Sequence, residues 1–244
     1  MAELTPEIIL QAYRAGIFPM AAHRESAEIN WYDPERRGVL PIAGLHVAKS
    51  LRRTIKKRPY HLTFDRAFAQ VMRGCADARP ATWINHEMIA LYTALHRQGD
   101  AHSVEAWKDG RLVGGLYGIA LGGAFFGESM FSAAPDASKI ALVYLAARLW
   151  RQGFELLDTQ FTNDHLRQFG VYAVSRAEYR RRLRGALEKK VCFDKNQSPR
   201  SAAGISLSAT SGITVTPPSG MASEENSCDF ADVVSFLQSI TQTS

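Results

Sequence analysis

"SVEAWKDGRLVGGLYGIALGGAFFGESMF", residues 103–131, decides the fold class. Apolar residues dominate it, glycine pairs interrupt it, and Asp109-Gly110 stands where a tight hairpin turn belongs. The spacing predicts a β-meander, with the glycine pairs marking bulges or close backbone approach. Near its end Glu128 sits among Phe, Gly and Met. Side chains alternate along a strand, so Phe126 and Met130 share the face of Glu128, and Phe125 and Phe131 take the other, unless a bulge at Gly127 changes the parity. An acid so placed needs partners or a raised pKa. A structural carboxylate satisfied by backbone amides is the alternative.

Upstream of the meander the signals are helical. Thr5-Pro6 reads as an N-cap and first helical residue, with Ile8, Ile9, Ala12 and Tyr13 as the apolar stripe and Gly16 as the stop. "GIFPMA" breaks this helix, and "WYDPERRGVLPI", 31–42, reads as loop with a short strand. Helices follow over 46–58, 64–76 and 85–98. Downstream, Asp136 and Ser138 are candidate caps for "SKIALVYLAARLWRQG", whose core stripe is Ile140, Val143, Tyr144, Ala147 and Trp150. "FELLDTQF" reads as a strand, "NDHLRQFG" as a short helix, "VYAVSRAEY" as a strand and 180–190 as a basic helix.

This order predicts an α+β chain in which a smaller, mainly helical N-terminal domain precedes a mixed sheet wrapped by helices. The expected divisions are 1–60, a catalytic domain over 61–194, a Ser/Gly/Pro-rich linker over 195–226 and a helical segment over 227–244. In that last segment Phe230, Val233, Val234, Leu237 and Ile240 are helically spaced for docking on the body.

The 244 residues suffice for a large core, and the net charge of +5 with pI near 9.2 suits an anionic partner. The first residues carry acids where a secretory leader needs cations, and no run approaches the ~18 apolar residues of a spanning helix. Three well-separated cysteines, Cys75, Cys192 and Cys228, fit neither a disulfide framework nor a zinc site, which points to the cytoplasm. No histidine spacing suggests a metal.

Asp158 and Gln160 lie two apart in the "FELLDTQF" strand and emerge side by side at its end. "GESMF" lacks the second glycine of a nucleophile elbow, because Phe131 stands there, and His102-Ser103 would face opposite ways. A serine hydrolase is therefore not expected. Lys49, Arg52, Arg53 and Lys56 share one helical face with Lys57 beside it, and "RAEYRRRLRGALEKK" adds a second basic stretch. Two such patches suit a phosphate backbone. Trp83 offers a stacking plane for a base or a core ring.

Residues 100–180 resemble an N-acetyltransferase-like (GNAT-like) fold, carried by the meander and "HLRQFGVYAV". The glycine-bearing turn that cradles pyrophosphate in that fold is replaced by "SAAPDASK", which argues against CoA. More specifically, "AYRAGIFPM", "DPERRGVLP", "HVAKSLRRTI", "TWIN", "AHSVEAW", "LVGGLYGIALGGAFFGESMFS", "ASKIAL", "GFELLDTQF" and "DHLRQFG" together resemble the leucyl/phenylalanyl-tRNA–protein transferase family over most of 5–183.

The resemblance implies transfer of Leu or Phe, also Met, from aminoacyl-tRNA to proteins with N-terminal Lys or Arg, creating a degradation signal. It implies no cofactor, no membrane and a monomer. It casts Asp158 and Gln160 as the catalytic pair and Glu128 as a binder of the substrate amine. Leu116, Phe125 and Met130 resemble the side-chain pocket, Trp83 the adenosine platform, and Lys49, Arg52, Arg53, Lys56 and Lys57 the tRNA-facing surface. Met20 departs from a position that is Trp in some members, the upstream "GGD" segment is absent, and the extension from about 195 lies outside the likeness. Transfer to acidic N-termini and acyl-CoA-dependent acetylation are the rival readings.

Overall fold

The computed structural model describes residues 4–26, 28–194 and 230–241. In chain order the elements are α1 (Pro6–Ala15), β1 (Phe18–Ala21), β2 (Ile29–Tyr32), β3 (Arg36–Leu40), α2 (Lys49–Lys56), β4 (His61–Phe64), α3 (Phe68–Asp77), α4 (His86–Gln98), β5 (Ala101–Lys108), β6 (Arg111–Leu121) and β7 (Ala124–Ser132). They continue with α5 (Ala137–Gln152), β8 (Leu156–Gln160), α6 (Asp164–Arg167), β9 (Tyr172–Ser175), α7 (Arg176–Leu187) and α8 (Phe230–Ser239).

The meander is β5-β6-β7, and Asp109 and Gly110 turn its first hairpin with φ of 50° and 72°. Positive φ at two successive residues is what a tight turn between right-twisted strands requires. The sheet runs β4-β5-β6-β7-β8-β3-β9, antiparallel except for the parallel pair β7–β8. It is therefore the expected mixed sheet. β1 and β2 form a separate two-stranded sheet.

The N-terminal part differs from a mainly helical one. "RRGVL", in the stretch read as loop with a short strand, is that strand, β3, and it lies between β8 and β9 in the main sheet although it falls inside residues 1–60. Long-range pairing overrides its mixed composition: Arg37 is buried by an ion pair that no local pattern announces. α7 also starts earlier than expected, because the Ser175 hydroxyl accepts the Glu178 N–H at 3.3 Å and caps the helix there. Asp136 precedes α5 without capping it; φ is 59° and its carboxylate instead meets Lys139 at 2.7 Å. Of the α5 stripe, Trp150 is 37% exposed and meets α8 rather than the core under the sheet.

Two cores flank the main sheet. One gathers Phe126, Phe131, Tyr117 and Leu156 with α1, α3 and α4; the other gathers Leu116, Phe125 and Leu157 with α5. Phe126 and Phe131 share a face because β7 carries a bulge. Tyr117 pairs with Ser129 and Gly118 with Gly127, so Glu128 has no residue opposite it. The extra residue is Glu128 rather than Gly127, and it sends Met130 to the face opposite the one expected.

α8 docks on α5: Phe236 packs near Trp150 at 5.9 Å, Asp232 pairs with Arg151, and the Arg58 guanidinium lies 3.8 Å from the Phe230 ring centre. The expected linker over 195–226 and residues 227–229 lie outside the described residues.

Candidate active site

A cavity of about 530 Å³ opens between the ends of β7 and β8. The two strands are paired only through Phe126 and Asp158, the last matched residues. Beyond that point Glu128 of the bulge and Gln160 at the end of β8 both line the cavity. Their side chains meet: Gln160 Nε2 donates to Glu128 Oε1 at 3.1 Å.

Glu128 Oε1 also accepts from Tyr13 Oη at 2.7 Å, and Oε2 receives Tyr92 Oη at 3.4 Å. The two phenols lie 2.7 Å apart. α1 and α4 thus reach the carboxylate from below. Desolvation among these rings pushes Glu128 up to about 8, against the pull of the Tyr13 hydrogen bond and with further help from the Asp158 charge. The opening alternatives divide accordingly: Glu128 has side-chain partners, not backbone amides, and its pKa is raised as well.

Asp158 behaves differently. It is fully buried and takes Arg37 Nε at 2.9 and 3.1 Å, Arg37 Nη2 at 2.6 Å, Tyr179 Oη at 2.7 Å and its neighbour Gln160 N–H at 2.8 Å. Arg37 is itself 1% exposed, donates to Gly16 O at 3.0 Å, and lies 4.5 Å from the ring centres of both Phe18 and Tyr179. Burial works against the Arg37 charge, and Asp158 more than offsets it, so the pKa rises. Every strong acceptor direction of Asp158 is occupied, and it does not line the cavity.

Gln160 is held in a strained backbone state with φ of 57°. Asp158 accepts its N–H, and Phe161 N–H reaches over it to Thr159 O at 2.6 Å. Gly38 makes the turn possible. A Cβ there would stand 2.6 Å from the Phe161 carbonyl carbon and 2.8 Å from Thr159 Oγ1.

The residues singled out in the sequence are distributed as follows. Leu116, Met130 and Trp83 line the cavity, the last edge-on to Tyr92 at 6.4 Å, and Met20 lines it too. Phe125 does not: it is fully buried in the α5-side core and stacks on Phe193 at 5.6 Å, because it lies where β7 and β8 are still paired, before the strands part. Lys49, Arg53, Lys56 and Lys57 are exposed. Arg52 is only half-buried, and its donors are used within the chain, on Val47 O at 2.9 Å, Leu237 O at 2.7 Å and Thr241 Oγ1 at 2.9 Å. Arg37, Tyr13, Tyr92 and Tyr179 were not foreseen as site residues. Tyr13 was legible only as core stripe, and Arg37 as one more cation in a basic chain. Among the described residues no group of three His, Cys, Asp or Glu could hold a metal ion, and no helix is long and apolar enough to cross a membrane.

Comparison with known proteins bears on this geometry. A family model described as leucyl/phenylalanyl-tRNA protein transferase matches residues 39–184, and the model for that family's N-terminal domain matches 2–35. This chain belongs to that family. Its membership makes it an aminoacyltransferase. A leucyl/phenylalanyl-tRNA–protein transferase of Paramagnetospirillum magneticum is 54% identical over 199 residues, 80% of this chain and 95% of that one. One of Hyphomonas neptunium is 48% identical over 231 residues, 93% and 90% of the two chains. One of Ruegeria pomeroyi is 52% identical over 199 residues, covering 81% and 94%. Among solved structures, that of L-PGS from Bacillus licheniformis covers 65% of this chain and 51% of its own at 12% identity and a TM-score of 0.38. Within the transferase family the N-terminal model ends at residue 35, just before β3, so β3 begins where the main sheet does.

Proposed function

We propose that this transferase moves Leu or Phe, and also Met, from aminoacyl-tRNA to the α-amine of proteins that begin with Lys or Arg, marking them for degradation. The observation that carries the reading is the Gln160–Glu128 contact at the wall of a cavity with both apolar and polar sides, braced from behind by the Arg37–Asp158 pair. An amino acid esterified to RNA has a greasy side chain, an α-ammonium and an activated carbonyl. Leu116, Met130, Leu142, Leu145 and Leu157 provide the apolar wall, and Glu128 meets the ammonium. Discrimination among apolar side chains then rests on cavity shape, at about 1–3 kcal/mol per methylene-sized difference.

The ester needs no covalent intermediate. The acceptor nitrogen attacks the carbonyl, the C–N bond forms, the bond to the ribose oxygen breaks, and the proton lost by nitrogen ends on that oxygen. Holding both reactants supplies about 7–11 kcal/mol in favourable cases. Gln160 hydrogen-bonds the attacking amine or the developing oxyanion, a contact typically worth about 2.7–4 kcal/mol. Asp158, expected as half of a catalytic pair, is in this reading a positioning residue: its remaining capacity is spent on the Gln160 N–H, Arg37 and Tyr179. Trp83 stacks the terminal adenosine, and the exposed cations Lys49, Arg53 and Lys56 of α2, with Lys57 at its C-cap, follow the acceptor stem. The parting of parallel strands β7 and β8 beyond Phe126 and Asp158 supports an acetyltransferase-like ancestry for the sheet. The free thiols of Cys75 and Cys192 suit a reducing cytoplasm.

The test incubates radiolabelled Leu-tRNA and Phe-tRNA with peptides beginning Lys, Arg, Asp or Glu. Label is expected in the Lys and Arg peptides only when enzyme is present. Label in the Asp and Glu peptides instead would reassign the acceptor, and saturable CoA binding with no label transfer would replace the tRNA reading by an acyl-CoA one.

A further inference from the structure

The bulge at Glu128 leaves Tyr117 and Ser129 facing each other across β6 and β7, and both line the cavity. Tyr117 is fully buried, yet among the described residues its hydroxyl has no hydrogen-bond partner. The Ser129 hydroxyl has the buried Cys75 thiol beside it, a weak partner that leaves it able to accept from something in the cavity. Buried hydroxyls are nearly always satisfied, so an orphan on a cavity wall points to something that enters the cavity. The Tyr117 ring has little freedom to look elsewhere, being edge-on to Phe68 at 5.7 Å and to Tyr92 at 5.9 Å.

Tyr13 and Tyr92 contrast with it, since both bond Glu128 and each other. On the carboxylate the two oxygens also differ. Oε1 is filled by Tyr13 and Gln160, whereas Oε2 has only the long 3.4 Å contact from Tyr92. Glu128 is the first charge that acts on the Tyr117 phenol, and desolvation keeps that phenol protonated.

We propose that Tyr117 Oη and Glu128 Oε2, with Ser129 Oγ at the edge, form the acceptor set for the α-ammonium of the esterified amino acid. This rests on the function proposed above and adds Tyr117 and Ser129 as substrate-binding residues. An ammonium has three N–H donors and needs acceptors in three directions; a carboxylate oxygen and two hydroxyls provide them. Anchoring the amine on the β6–β7 side sets the side chain towards the leucines of the α5-side core, leaving the carbonyl near Gln160. A donor without an amine loses this register.

The experiment measures binding of two stable donor mimics, 3′-amino-3′-deoxyadenosine carrying a phenylalanyl amide and the same nucleoside carrying a 3-phenylpropionyl amide, which lacks only the amine. Wild type is expected to prefer the first by tenfold or more. Tyr117→Phe should lose about tenfold on the amine-bearing mimic and less than twofold on the other. The empty variant should unfold at the same temperature as wild type or higher, since it deletes an unsatisfied hydroxyl. Equal losses on both mimics, no loss on either, or a less stable empty variant would overturn the assignment while leaving the transferase reading intact. Failure of wild type to bind either mimic would overturn both.

Discussion

Glu128 is a carboxylate whose environment was partly foreseeable and whose consequence is measurable. Its pKa near 8 lies above the ordinary 4.5, so between those values the folded protein holds a proton that the unfolded chain has released. Stability therefore falls as pH rises through that window. Glu128→Gln has no such titration. Its stability relative to wild type is expected to be flat below about pH 4.5, to rise up to about pH 8 and to level off above, read by urea unfolding at a series of pH values. The same variant should raise the KM for Leu-tRNA by tenfold or more, since an ammonium beside Glu128 favours loss of its proton and makes it a counter-ion, which an amide cannot become. Unchanged transfer kinetics would dismiss the amine-binding role.

At the scale of elements, the turn that ends β8 depends on β3. Gly38 lies where β3 loses register with β8, and any side chain there collides with the Phe161 backbone. Gly38→Ala is expected to cut kcat for transfer about a hundredfold while KM for aminoacyl-tRNA changes less than threefold, because Gln160 is displaced and the tRNA surface is not. Steady-state kinetics separate the two. The buried pair beneath makes a second prediction. Arg37→Met strands the Asp158 charge in the core and should cost about 3–5 kcal/mol of stability, measured by denaturant unfolding. A loss under 1 kcal/mol would mean that Asp158 finds other partners at little cost.

Over the whole molecule, the C-terminal helix and the basic face of α2 meet at Arg52. Its guanidinium serves the carbonyl end of α8, whereas Lys49, Arg53, Lys56 and Lys57 are exposed and, in the proposed reading, face the RNA. Arg53→Ala and Lys56→Ala are expected to raise KM for aminoacyl-tRNA severalfold and to flatten its salt dependence by about one unit each in log–log slope. Arg52→Ala should instead lower the melting temperature with little change in that slope. The reverse pattern would show that α8 yields Arg52 to the nucleic acid.

How much of this was legible follows from the range of the forces involved. The hairpin at Asp109-Gly110, the caps at Thr5 and Gly16 and the amphipathic helices are local, so residue order alone determined them. Spacing also put Asp158 and Gln160 side by side, whereas Glu128 joined them only through the family resemblance. What it left open were the partners. The place of β3 between β8 and β9 is a pairing across more than a hundred residues, and Arg37, an ordinary cation in sequence, acquires its role only when that strand delivers it to Asp158. Likewise a single bulged residue, Glu128, reversed the parity of β7 after it, turning Met130 to the α5 side of the sheet and Phe131 to the other. Side-chain direction has period two, so one inserted residue flips every later assignment, and only the folded sheet reveals where it falls.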